Sequence, residues 1–336
     1  MQIHSINSYQ RKNTTNMDNL NNVSFKGFHG NGKALFVGDL DGTVALGAKE
    51  HLVPFLKLLK ECQARLVFAS GRSLEKFSEL QADLASKKAH LPTPEFLITQ
   101  NGSHIYQNIN GKLVEDQEWS DRLAKSFDRE KVLASIKELA FKPEFLMPNA
   151  KLNGAEDFSQ SKLCTFEFWP TPRRLQFVAD SSISETIFRE IKDKLRAEGL
   201  SARVIRQFFT KEENDVTCNA AQRAIMEPRY GKNNYITQID ITAANKGDGV
   251  EFLQNKFKVR DKEVVMAGND SNDISMAKLA LSDRTFIGVG NRTEPLEIYM
   301  LNLLGENRKL EDKLILPKKE GLSGIIEAIN KMRARN

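Results

Sequence analysis

Cysteine is scarce in this 336-residue chain: Cys62, Cys164 and Cys218 stand far apart and form no CxxC pair. That spacing excludes a disulfide framework and a zinc knuckle, and it fits a reducing, cytoplasmic setting. The five histidines show no metal-ligand spacing, and none is assigned a role. No apolar run approaches the roughly 20 residues that span a bilayer, so no membrane partner is expected. Excess charge is lacking as well. The formal net charge is +5, yet residues 1–33 hold four lysines and arginines against one acid, which leaves +2 for everything else. So small a surplus gives no footprint for nucleic acid. Met1 to Asn22 is polar and lacks the apolar h-region of a secretory signal. It cannot bury enough apolar area to offset ordering, so residues 1–30 are expected to form a flexible tail.

What is present is a regular alternation. Five short apolar runs end in polar or glycine-rich turns: Ala34 to Val37, Arg65 to Ala69, Phe96 to Ile98, Val264 to Ala267 and Phe286 to Val289. Each fits a strand buried on both faces. Helical spacing fills the gaps at His51 to Cys62, Leu74 to Lys87, Gly247 to Phe257 and Ile274 to Leu281. The expectation is an α/β fold built on a doubly wound parallel sheet. Between about Gly111 and Tyr235 the alternation gives way to a mixture, with a helix at Ser182 to Ala197 and strands at Leu163 to Trp169 and Ala202 to Phe208. This reads as an inserted α+β module punctuated by Pro143, Pro148, Pro170, Pro172 and Pro228. The expected division is a tail over 1–30, a core over 31–112 and 236–336, and a cap over 113–235, placed to lie across the strand ends.

Those strand ends carry the chemistry. Gly38-Asp39-Leu40-Asp41-Gly42-Thr43 follows the first run, and two carboxylates so close imply a cation, an acid/base role, or both. The second run ends in Ala69-Ser70-Gly71-Arg72, a hydroxyl and free N–H groups before a helix, where a phosphate fits. The third ends in Thr99-Gln100-Asn101-Gly102, with Asn101 either a turn residue or a substrate contact. The fourth, Gly268-Asn269-Asp270-Ser271-Asn272-Asp273, adds oxygen ligands for a hard cation, and Lys246 adds a positive point charge. Phe166, Phe168 and Trp169 read as sheet-face residues, and Arg173 with Arg174 as a solvated pair or, less favoured, an anion contact.

In this order the four motifs resemble those of haloacid dehalogenase (HAD) superfamily phosphatases. The insertion resembles the type II cap of subclass IIB, and Ala197 to Ile205 together with Asn245 to Val250 look most like the sucrose-phosphate phosphatase and Cof-like group. The resemblance implies a Rossmann-like core with a C2-type cap. It also implies a covalent route in which Asp39 attacks phosphorus to form an aspartyl phosphate and Asp41 serves as acid, then base. Thr43, Ser70, Gly71, Arg72, Asn101 and Lys246 would bind the substrate and its phosphate. Mg²⁺ would be held by Asp39, the Asp41 carbonyl and the fourth motif. There Asn269 stands where the superfamily has its first acid, so Asn269 and Asp270 compete for the ligand slot; Asp270 is preferred, with Asp273 ligating or orienting Lys246. The implied function is Mg-dependent hydrolysis of a small phosphorylated metabolite, first of all a sugar phosphate. A phosphomannomutase-like phosphomutase and a non-catalytic sugar-phosphate-binding protein are the rivals.

Overall fold

Leu35 and Val37 of strand β1 (Ala34–Gly38) enter one hydrophobic cluster while Ala34 and Phe36 enter another. Burial on both faces is why the strand is an unbroken apolar run rather than an alternating one. The computed structural model describes residues 34–151, 157–165, 171–212, 220–230 and 235–334. The expected tail, Phe166 to Pro170 and Cys218 lie outside the described residues.

The other strands are β2 (Ala64–Ala69), β3 (Phe96–Thr99), β4 (His104–Ile109), β5 (Lys112–Glu115), β6 (Leu163–Thr165), β7 (Arg174–Ala179), β8 (Arg203–Thr210), β9 (Tyr235–Thr242), β10 (Val264–Gly268), β11 (Thr285–Gly288) and β12 (Leu314–Ile315). The helices are α1 (Ala48–Glu61), α2 (Leu74–Ser86), α3 (Gln117–Ser126), α4 (Arg129–Ala140), α5 (Ser184–Ala197), α6 (Ala220–Met226), α7 (Lys246–Phe257), α8 (Ile274–Ala277), α9 (Glu294–Glu306) and α10 (Gly321–Ala334). None of the described helices is long and apolar enough to cross a membrane.

An eight-stranded sheet runs β12-β11-β10-β1-β2-β3-β4-β5. It is parallel from β12 to β3, and β4 and β5 close the edge as antiparallel strands. Strand order departs in opposite directions on the two sides of β1, so the carboxyl ends of β1 and β10 flank the crevice that open α/β sheets use for ligands. Helices α1 and α10 cover one face through Leu52, Phe55, Leu59, Leu322, Ile325 and Ile329. Helices α7, α8 and α9 cover the other through Val250, Leu253, Met276, Leu296 and Met300.

A second sheet, antiparallel in the order β6-β7-β9-β8, is built from the inserted segment. Ile136 and Leu139 of α4 and Ile187, Ile191 and Leu195 of α5 pack on its Phe177, Ile239 and Ile241. These side chains belong to the same apolar cluster as one face of the large sheet.

Three boundaries differ from the expected ones. Lys112–Glu115 pairs with β4 and so still belongs to the large sheet. Tyr235–Thr242, expected to reopen the core at 236, is instead the central β9 strand of the second sheet, bonded to both β7 and β8. Its polar residues Gln238 and Asp240 are buried with partners, which masks the strand's membership in sequence. The helix expected over Ile274 to Leu281 ends as α-helix at Ala277, continues as a 3-10 turn over Lys278–Ser282 and stops at Asp283, whose φ is +66°.

Candidate active site

Asp39 leaves β1 with its N–H donated to the Ala267 carbonyl of β10 at 2.9 Å, and this fixes the carboxylate at the top of the two central strands. A tight turn over Leu40–Val44 follows, in which Gly42 has φ +70°. A Cβ there would lie 2.4 Å from the Asn269 carboxamide, so glycine is what lets the fourth motif approach the first. Thr43, fully buried, places its hydroxyl 2.9 Å from a terminal atom of the Asn269 carboxamide. Asp41 is exposed and gripped by Arg72, whose Nε and Nη2 reach its two oxygens at 2.8 and 2.7 Å. This is a bidentate fork that a lysine cannot reproduce.

At the end of β2, Ser70 is buried and its hydroxyl accepts the Arg72 N–H at 3.1 Å, which shapes the turn before α2. Gly71 passes close beneath Asn101, as an added Cβ would sit 3.3 Å from the Asn101 Oδ1. Asn101 itself adopts a left-handed φ of +56° and donates its N–H to the Ser70 carbonyl at 3.0 Å. Its carboxamide is committed on both sides, donating to Asp240 at 2.9 Å and accepting from Asn272 at 3.2 Å. Asn101 therefore ties three segments together rather than facing an open cleft.

Lys246 opens α7 behind the Asn245 cap, where Asn245 and Asp248 satisfy each other's backbone N–H groups. Its ammonium is completely buried between Asp39 Oδ1 at 2.6 Å and Asp273 Oδ1 at 2.7 Å. The other oxygen of Asp273 accepts the N–H groups of Asn269 and Asp270 at 2.9 and 3.1 Å, and that pair of bonds defines the turn after β10. Burial first, and then the charge of Asp273, push the Asp39 carboxyl well above the ordinary carboxylate range, with Lys246 pulling it back. Burial raises Asp273 too, opposed by Lys246. Burial alone would lower Lys246, but the two carboxylates more than offset it and hold the ammonium charged.

Asn269 and Asp270, the two candidates for the ligand slot, are placed differently. One terminal atom of the Asn269 carboxamide lies 2.7 Å from the Asp41 carbonyl oxygen and 3.3 Å from Asp39 Oδ2. The Asp270 carboxylate instead accepts the Ser271 N–H at 2.6 Å and the Thr293 hydroxyl at 3.0 Å, where it caps the turn. Among the described residues no three His, Cys, Asp or Glu side chains gather as a metal cage. The arms that converge with Asp39 are a backbone carbonyl and an amide, which are hard donors of another kind. With the carboxamide oxygen at that place, the donor set is of the all-oxygen kind that a hard cation such as Mg²⁺ takes.

Arg173 and Arg174 are not a solvated pair. Arg173 reaches the Ser103 carbonyl at 3.3 Å, Glu115 at 2.8 Å and the Ser120 hydroxyl, all near the edge of the large sheet. Arg174 pairs with Asp240 at 2.8 Å. Sequence reasoning missed Asp240; the signal was an acid between Ile239 and Ile241 in an otherwise apolar strand, which demands a buried partner.

Sequence comparison matches the chain to the sucrose-6F-phosphate phosphohydrolase family over residues 32–146 and 170–333, most of its length. No curated protein matches it. Among solved structures, a sucrose-phosphatase from Synechocystis, in complex with sucrose and phosphate, is similar with a TM-score of 0.62 at 19% identity, covering 89% of this chain and 98% of that one. A haloacid dehalogenase-like hydrolase from Bacillus subtilis is similar with a TM-score of 0.51 at 14% identity, covering 95% and 100%. At such identities the likeness is one of fold.

Proposed function

The chain belongs to the sucrose-6F-phosphate phosphohydrolase family and is a HAD-superfamily phosphatase, and from that premise we propose that it hydrolyses a small sugar phosphate through an aspartyl-phosphate intermediate with Mg²⁺ as cofactor. The observation that carries the reading is the Asp39–Lys246–Asp273 arrangement at the carboxyl ends of β1 and β10, with Ser70 and the Asp41–Arg72 pair beside it. The Synechocystis structure, which holds sucrose and phosphate, supports the sugar-phosphate class.

In the first step an Asp39 carboxylate oxygen bonds to phosphorus while the ester P–O bond breaks, and protonated Asp41 gives its proton to the departing sugar oxygen. In the second, water attacks phosphorus, Asp41 takes the water proton, and the aspartyl P–O bond breaks to free phosphate and Asp39. Asp41 is placed for both roles because its carboxylate is exposed beside the site. Ser70 and Lys246 receive the phosphoryl oxygens, and the buried ammonium is fixed before the reaction, so little reorganisation is needed as charge develops. Asp39, the Asp41 carbonyl and Asn269 would hold Mg²⁺, which would supply charge neutralisation for a dianionic substrate. Arg72 orients the Asp41 carboxylate until substrate arrives.

The test is phosphate release across sugar, polyol and nucleotide monophosphates with magnesium present. Turnover of sugar phosphates is expected, with Asp39→Asn reducing it by at least ~10³-fold. Undiminished turnover in Asp39→Asn removes the nucleophile assignment, and isomerisation without phosphate release replaces the hydrolase with a mutase.

A further inference from the structure

Asn269 is locked everywhere except at its carboxamide. Its N–H is held by Asp273 at 2.9 Å, and its carbonyl accepts the Thr293 N–H at 2.7 Å. What stays open is a half-turn of the amide plane, which exchanges oxygen and nitrogen at the same place in space; the outer position faces only donors, so without a cation both ends favour the oxygen outward. That place is 2.7 Å from the Asp41 carbonyl, 3.3 Å from Asp39 Oδ2 and 2.9 Å from the Thr43 hydroxyl. With oxygen there, acceptors crowd together and a cation is needed to reconcile them. With nitrogen there, the NH₂ donates to the same acceptors and the pocket is satisfied without a cation. The amide is thus a neutral stand-in for the metal.

Charge points the same way. Asp39, Asp41 and Asp273 face Lys246 and Arg72, so the protein offers a divalent cation one net negative charge, with both ammonium and guanidinium already in the pocket. A phosphate dianion adds two more.

We propose that cation and phosphate enter this site together: Asn269 satisfies the resting site through its NH₂ and turns its oxygen inward only when the phosphate supplies the missing charge. The inference rests on the phosphatase reading above and deepens it, making the cofactor one that is recruited with each substrate. By linkage, phosphate must tighten cation binding by the same factor that the cation tightens phosphate.

The experiment is a titration of the purified protein with Mn²⁺, free ion read by electron paramagnetic resonance, with and without inorganic phosphate. Wild-type protein is expected to bind Mn²⁺ at least about tenfold tighter in phosphate. Asn269→Asp, whose carboxylate cannot donate, is expected to bind Mn²⁺ at least about tenfold tighter than wild type without phosphate and to lose most of the coupling. Equal wild-type affinity in both buffers overturns the inference, whether or not the variant folds, and so does an Asn269→Asp protein that retains the full coupling. Absence of Mn²⁺ binding under both conditions overturns the cation-dependent reading on which the inference rests, a result distinct from binding without coupling.

Discussion

Asp39 must be ionised to attack phosphorus, and its surroundings resist that. Burial and the neighbouring Asp273 favour the protonated carboxyl, while Lys246 favours the carboxylate. A cation beside Asp39 adds to the side of Lys246, because positive charge stabilises the ionised form. The acid limb of kcat/KM is therefore expected above the ordinary carboxylate range at low magnesium and at lower pH as magnesium rises. Rates on an aryl phosphate measured from pH 4 to 8 at two magnesium concentrations check this; a limb that stays put removes the link between the cation and Asp39. Lys246 has no such freedom. Two carboxylates hold it charged, and removing it would leave both buried without a counter-charge, a loss of about 3–5 kcal/mol for groups of this kind.

At the level of elements, the start of α7 depends on how closely the turn after β3 approaches it. Gly102 has φ +108°, and a Cβ there would lie 2.2 Å from the Asn245 carbonyl. Gly102→Ala is expected to destabilise the protein by roughly 2 kcal/mol or more, because strain and clash act together. It should also displace Lys246, the residue after Asn245, so kcat falls further than the loss of folded protein explains. Thermal melting and kcat on the same sample separate the two; unchanged kcat per folded molecule would show that the approach is merely structural. The same turn carries Asn101, which joins Ser70 to Asn272 and, through Asp240, to the middle strand of the second sheet.

For the whole molecule, the two sheets meet through polar contacts as well as the shared apolar cluster. Arg173 binds Ser103, Glu115 and Ser120, and the Ser271 hydroxyl donates to the Arg206 carbonyl of β8 at 2.8 Å. Arg173→Met is expected to speed amide hydrogen exchange in residues 103–120 and 171–179 while β1 exchanges as before. A uniform increase would mean global destabilisation instead. Much of this architecture was legible in sequence. Strands buried on both faces, such as β1 and β10, announce themselves as apolar runs, and the site residues cluster at their ends. Strand β9 did not, because Gln238 and Asp240 make it look polar until Arg174 and Asn101 are seen beside them. Nor could sequence tell which of Asn269 and Asp270 lies beside Gly42, since that depends on the turn after β10 that Asp273 holds.

Trp119 is one of two tryptophans in the chain. Its indole donates to the Gly102 carbonyl at 3.0 Å and packs 4.8 Å from the Phe252 ring of α7, with almost none of its surface exposed. The joint between the inserted segment and the catalytic turns therefore contains its own fluorophore. Loss of that hydrogen bond and exposure of the ring would register as a red shift, and replacing Trp169 by phenylalanine would leave an emission that reports on this joint alone, so cap movement becomes readable as colour without any added label.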